Sequence, residues 1–310
     1  MKRKVIKQGN GTLTITLPKQ WTVDVGLKGG EEIDVREEEG NIIVGSKPET
    51  TSETTIQLED IEISGDDEKN PNRYIVRTLI INALRKGHDK IKILFDSPKV
   101  LPIINNCVSE VIGYEIIEQG PKHCIVGSIA DLKDIDFIKH FTRFKQLVHL
   151  FSNLVFKHLV QGEHRIEEID SLFLMLEKNY NTFSRFLMYT AKRQTKEKFF
   201  LFTATEHLYQ GTRNMFYCSK LYSEIGKELS QTTAKYAKDV FDYVNKVLDF
   251  ITTKEISKVA ELNIKKNSLT YHSINKIISS NSKENALLLQ LAFVARRMWD
   301  SVGPYLGYIE

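Results

Sequence analysis

From residue 132 to the end of the chain, glycine and proline become scarce, and apolar side chains recur about every 3.6 residues. A stretch of that length with an apolar stripe on every turn has one economical way to hide its stripes, which is to pack helix against helix. Brief polar breaks fall at Gln161-Gly162, near Thr195, at Gly226, at Thr252-Thr253 and at Asn281-Ser282. They divide the region into six expected helices, over 134–160, 165–193, 196–225, 231–252, 255–279 and 284–307. Two groups of three are the pattern of a duplicated three-helix unit.

The remainder of the 310 residues follows other periods. In KVIKQGNGTLTITLP, Leu13, Ile15 and Leu17 alternate with Thr12, Thr14 and Thr16, which is the period of a strand. Gly9-Asn10-Gly11 marks a turn, Pro18 ends the strand and opens a short helical turn through Trp21, and EEIDV and NIIVG form a hairpin around Glu38-Glu39-Gly40. KPETTSE at 47–53 is a linker by composition. Residues 54–130 then read β-α-β-α-β-β: a strand TTIQLEDIEI, a helix from Asn70-Pro71 through Lys86 stopped by Gly87, a strand KIKILF, a helix from Pro102 to Val111, and a closing hairpin turned by Gly120-Pro121. The expected fold is therefore multidomain: a small β module over 1–46, an α+β domain over 54–130 with helices on one face of a sheet, and an all-α region over 132–310.

Composition narrows the functional classes. With 41% hydrophobic and 27% charged residues, the chain suits a water-soluble globular protein, and no run approaches the ~18–20 apolar residues of a membrane span. The opening MKRKVIKQGNG has positive charge without an apolar run behind it, so it does not read as a secretory signal, and no membrane insertion is expected. Cys107, Cys124 and Cys218 lie far apart with no zinc spacing, which fits buried free thiols in a cytoplasmic protein. Gly29-Gly30 lacks the Lys-Ser/Thr of a phosphate-binding loop, and there is no G-x-S-x-G. The expectation is a protein without a catalytic centre.

Charge is distributed unevenly. Residues 1–28 carry six cations (Lys2, Arg3, Lys4, Lys7, Lys19 and Lys28) against Asp24 alone, and residues 48–70 carry eight carboxylates against Lys69. Cations clustered on a small module suit a polyanion, and Lys2, Arg3, Lys4, Lys7 and Lys19 are the candidate contacts to double-stranded DNA. About 45 residues with few large apolar side chains bury too little surface to stand alone, so a homodimer completing one barrel is expected.

The order of motifs from Arg3 to Val44 resembles the AbrB/MazE/SpoVT swapped-hairpin family. Lys7 to Gly11 precede the alternating strand, followed by Leu17-Pro18-Lys19, by Gly26-Leu27-Lys28-Gly29-Gly30 and by Glu32-Ile33-Asp34-Val35. The resemblance implies an interleaved dimeric barrel and sequence-directed DNA binding. The chain departs from the family at Trp21-Thr22, where an arginine is frequent.

The six helices in two triplets resemble the PhoU family of phosphate-uptake regulators. There the third helix of each triplet carries a Glu-xxx-Asp motif, followed by Asn, that binds metal. The resemblance places Glu206, Gln210 and Asn214 in the first copy and Arg296 and Asp300 in the second, so that Glu206, Gln210, Asn214 and Asp300 are the candidate metal set. Gln210 stands where the family has Asp, and Arg296 where it has Glu. With these substitutions, the other reading is a polar stripe along one helix face, with Arg296 paired to an acidic neighbour. The three parts in one chain resemble an archaeal type of phosphate-uptake regulator.

Other groupings read as structure. Glu167, Glu168 and Asp170 complement a helix N-terminus, and His140, His149 and His158 alternate sides of one helix and cannot converge. Phe199, Phe200, Phe202, Phe216 and Tyr217 read as core or interface aromatics. The leading expectation is a dimeric DNA-binding transcriptional regulator of phosphate uptake whose helical body senses a signal or binds a phosphate-transport or signalling protein. The alternative is an adaptor that regulates a phosphate transporter or its kinase without touching DNA. An antitoxin is a third reading, disfavoured because the body looks folded.

Overall fold

The computed structural model describes residues 2–9, 11–38, 41–45, 52–59, 61, 63, 71–129, 137–190, 196–226, 228–278 and 284–309. The chain is mostly helical with small sheets. It divides into two compact units, 1–51 and 52–310.

In the first unit, β1 (Ile6–Gln8) pairs antiparallel with β2 (Thr12–Thr14), α1 spans Lys19–Asp24, and β3 (Asp34–Glu38) pairs antiparallel with β4 (Asn41–Gly45). The expected strands are shorter than their sequence pattern, and Asn10, Glu39 and Gly40 lie outside the described residues. Gly9 and Gly11 have φ of 62° and 103°, a left-handed backbone that suits glycine. The two ladders are separate two-stranded sheets, and among the described residues of one chain no barrel closes. No α1 residue is buried, and Leu13, Ile15, Val35 and Ile42 are exposed.

The second unit begins with a four-stranded mixed sheet. Its strands are β5 (Glu53–Gln57), β6 (Lys90–Leu94), β7 (Tyr114–Gln119) and β8 (His123–Ser128), in the order β5-β6-β8-β7. Only β5 and β6 run parallel, joined by helix α2 (Pro71–Arg85), and α3 (Leu101–Ser109) follows β6. The strand expected over TTIQLEDIEI stops at Gln57; Leu58 and Ile63 instead pack into the core. Ile91 faces Val126 and Ile93 faces Cys124 across the ladder; all four are fully buried under Val76, Ile80 and Leu84 of α2 and Ile104 and Cys107 of α3.

The helical region consists of α4 (Phe137–Val160), α5 (Ile166–Thr190), α6 (Lys196–Ile225), α7 (Gln231–Thr253), an irregular fifth rod, and α10 (Asn285–Asp300) continued by α11 (Val302–Ile309). Its expected extensions to 134–136, to 191–193 and to 279 lie outside the described residues. The fifth rod is not one α-helix. It passes from a 3-10 turn (Ile256–Lys258) to α8 (Val259–Asn267), widens to a π segment (Ser268–Ser273) and ends as α9 (Ile274–Ile277). A single apolar core runs through all six rods, with Phe144, Phe151, Phe183, Phe241 and Phe250 among its buried side chains. No helix among the described residues is long and apolar enough to cross a membrane.

Helix α7 starts on Ser230, whose hydroxyl accepts from the Thr233 N–H, and stops at Lys254, whose N–H donates to Phe250 O at 2.7 Å. Lys254 holds a left-handed backbone (φ 59°) that a side chain disfavours, and its charge helps to lower the pKa of Lys145, after burial. Lys254→Gly should therefore stabilise the protein by about 0.5–1 kcal/mol, read as a raised urea midpoint with unchanged slope.

Candidate functional site

The five cations expected to meet DNA are exposed, and among the described residues none pairs with a carboxylate. Of the five, only Lys7 lies in a strand ladder. Lys7 is the cross-strand partner of Leu13, so it shares the face of that exposed leucine, whereas Ile6 pairs with Thr14 and Gln8 with Thr12 on the other. Lys19 opens α1, where Thr22 Oγ1 donates to its carbonyl at 2.9 Å.

Of the four residues of the implied metal set, Glu206 and Gln210 are bonded to each other, and all four have protein partners. Glu206 accepts from the Tyr180 hydroxyl through one oxygen and from Gln210 Nε2 through the other, at 2.8 Å for the second. Asn214 Oδ1 accepts from Gln290 at 2.9 Å. Asp300 accepts from Arg296 Nε at 3.1 Å and lies 3.6 Å from Arg297 Nη1, so its carboxylate is paired with two arginines. A hard cation needs several free anionic oxygens, and these donors are already engaged. Among the described residues no three His, Cys, Asp or Glu side chains form a metal-binding group. The residues thus do not fit the metal that the resemblance implies.

The remaining groupings sit as structure. Glu168 pairs with Arg165, Asp170 with Lys220, and His158 is buried with Nδ1 2.8 Å from the Glu163 carbonyl, while His149 is exposed. Phe202 and Phe216 pack against the core, and Phe199, Phe200 and Tyr217 are exposed. All three cysteines are buried and free; burial pushes the Cys107 thiol up to about 12 and Cys124 to about 11, which leaves them protonated and unreactive at neutral pH.

The densest polar arrangement lies where the α+β sheet meets α5, and its principal residues were not singled out from the sequence. Arg185 is fully buried. Its guanidinium donates to the Ile112 carbonyl and, at 2.6 Å, to Ser128 Oγ, and it lies 3.8 Å from the Tyr114 ring centre. One turn back, Asn181 Oδ1 accepts two bonds from Arg85 of α2, at 2.9 and 2.6 Å. One turn further, Glu177 lies 3.5 Å from Arg77, whose other partner is Glu110 at 2.5 Å, and accepts from Tyr209 of α6 at 2.7 Å. Glu177, Asn181 and Arg185 are spaced i, i+4, i+8 and form one stripe along α5. Thr182 adds a bond to the Ile112 N–H at 3.1 Å.

Burial raises the Glu110 carboxyl above its ordinary value, against the opposing pull of Arg77. Arg77 itself is raised: burial lowers it, but Glu110 and Glu177 outweigh that. The Tyr114 hydroxyl, donating to His88 O at 2.7 Å, is pushed up to about 12 by burial. A sequence signal for this seam did exist, since Arg185 interrupts the apolar run of NTFSRFLMY, and an arginine there must find partners.

No family model, curated protein or solved structure matches this chain.

Arg185→Met strands the Ile112 carbonyl and should cost about 2–3 kcal/mol, measured by urea unfolding. Arg77→Met removes the main influence that lowers Glu110. A carboxyl with a raised folded-state pKa stabilises below its unfolded value and loses that contribution as pH rises through the folded one. The deficit of Arg77→Met relative to wild type should therefore be smaller at acid pH than at neutral pH; a deficit that does not vary with pH would exclude this coupling.

Proposed function

We propose that the chain is a cytoplasmic, dimeric DNA-binding transcriptional regulator of phosphate uptake. In this reading residues 1–46 of two copies knit into one swapped-hairpin barrel, and the helical body, a pair of PhoU-like three-helix units, is the sensor or partner-binding region. One observation carries it: among the described residues of a single chain, the N-terminal module leaves Lys2, Arg3, Lys4, Lys7 and Lys19 without a carboxylate and several large apolar side chains exposed. Leu13 and Ile15 on one segment and Val35 and Ile42 on the β3–β4 hairpin are 60–70% exposed. Val35 pairs with Val44 and Ile42 with Glu37, which puts Val35 and Ile42 on the same face of that hairpin. A second copy supplies the missing core, and strands with such exposed edges pair readily. The unpaired Lys2, Arg3, Lys4, Lys7 and Lys19 then lie on a dimer whose charge suits phosphates. The order of motifs around them supports the same reading, while phosphate uptake as the regulated process rests on resemblance alone.

Duplex DNA from the chain's own genome should shift in a mobility assay, with log K falling by about 0.9 per phosphate contact as log salt rises. Arg3→Ala, Lys4→Ala and Lys7→Ala together should weaken binding at least about tenfold and flatten that slope. Equal affinity of wild type and variant, or a monomer by light scattering, would remove this reading and leave the adaptor.

A further inference from the structure

A cavity of about 500 Å³ opens beside the polar seam, between β5, the end of α2, α5 and α6. Its polar wall carries Arg85, Lys86 and His88, with Tyr180 and Glu206 across α5 and α6. Tyr180, Ser184 and Met188 form the α5 side at i, i+4, i+8, on a stripe adjoining that of Glu177, Asn181 and Arg185.

The charges on this wall are unequally matched. Arg85 is half-buried, yet its only hydrogen-bonding partner among the described residues is the neutral Asn181 amide oxygen, reached through Nε and Nη2. Its guanidinium lies 4.8 Å from the Tyr180 ring centre, and Nη1 makes no hydrogen bond among the described residues. The neighbouring arginines of the seam differ: Arg77 has two carboxylates, and Arg185 has a carbonyl and a hydroxyl. Lys86 is exposed, and it too pairs with no carboxylate among the described residues. The one carboxylate of the wall, Glu206, already accepts bonds at both oxygens. The wall therefore offers unused donors and positive charge but no free acceptor of comparable strength.

Beyond the neutral polar side chains of Thr54 and Asn82, the rest of the lining is apolar, with Ile56, Leu79, Ala83, Met188 and Phe202. A bare inorganic anion would leave that surface wet, and a neutral apolar molecule would leave the spare Arg85 and Lys86 donors unused. We propose that this cavity binds a small organic anion, its carboxylate or phosphate head on Arg85 and Lys86 and its apolar body against Leu79, Met188 and Phe202. Either head, a planar carboxylate or a tetrahedral phosphate, presents a pair of oxygens that suits the forked donors of arginine. The site deepens the reading of the body as a sensor and depends on that reading only for its consequence, not for binding itself.

The test uses the full chain without DNA, so its result is separate from that of the mobility assay. Phenyl phosphate, phenylacetate and inorganic phosphate are titrated by calorimetry and by thermal unfolding. At least one aromatic anion should bind saturably below about 5 mM and raise the melting temperature, with inorganic phosphate at least about tenfold weaker. The tighter of the two aromatic anions identifies the head. Arg85→Gln should abolish binding. Because Arg85 also braces α5, two exposed positions serve as independent variants: Lys86→Glu should weaken binding roughly three- to tenfold, and Leu79→Trp should block it. The proposal is overturned if neither aromatic anion binds by about 5 mM, if both exposed variants bind as wild type does, or if inorganic phosphate binds as tightly as the organic probes.

Discussion

A guanidinium removed from water is held in place only by groups that replace its hydration, and Arg185 has drawn such groups from three points of the α+β sheet. The Ile112 carbonyl lies in the turn before β7, the Tyr114 ring is on β7, and Ser128 ends β8. One side chain thus fixes α5 against the sheet edge both laterally and in register. Sliding α5 by one turn would carry Arg185 about 5.4 Å away from all three. The contacts at Asn181 and Glu177 depend on this anchor, because they lie on the same helical stripe at successive turns.

That dependence distinguishes the seam from a set of surface ion pairs. Exposed pairs contribute little, and buried ones barely repay their desolvation. The value of the seam is therefore specificity. Apolar faces alone specify a register weakly, whereas the contacts of Arg77 with Glu110 and Glu177 and of Arg85 with Asn181 form together in one. The upward shift of Glu110 despite its pairing with Arg77 shows that desolvation dominates there. It is the physical reason the charges cannot separate cheaply once the interface has formed.

The elements were largely legible in the sequence because their ends carry local chemistry. Gly87 (φ 77°) follows α2, Gly113 (φ 85°) precedes β7, and Gly162 and Gly226 end α4 and α6, all positions that the left-handed backbone explains. The π segment Ser268–Ser273 was not legible, since its wider turn leaves an apolar spacing indistinguishable over six residues from an ordinary helix. Of the seam only the misplaced cation Arg185 was legible, and not its pairings, because the partners are far apart in sequence; Arg85 and Asn181 are 96 residues apart. The spacing of Glu206, Gln210 and Asn214 showed that they share a face of α6 but not what stands opposite. Tyr180 and Gln290 do, and they take up the oxygens that a metal would have needed.

The adjoining stripes on α5 also define what a signal entering the body would have to do. Arg85 belongs to both: it lines the cavity beside Tyr180 and Ser184, and it holds Asn181 in the seam. An anion drawing on its remaining donors competes for the orientation of the same guanidinium. The ligand would change the fold's behaviour only if the seam has a second arrangement that it binds with different affinity, since equal affinity shifts nothing. By linkage, any partner that favours one of those arrangements must alter the affinity of the cavity by the same factor that the cavity's occupant alters its own.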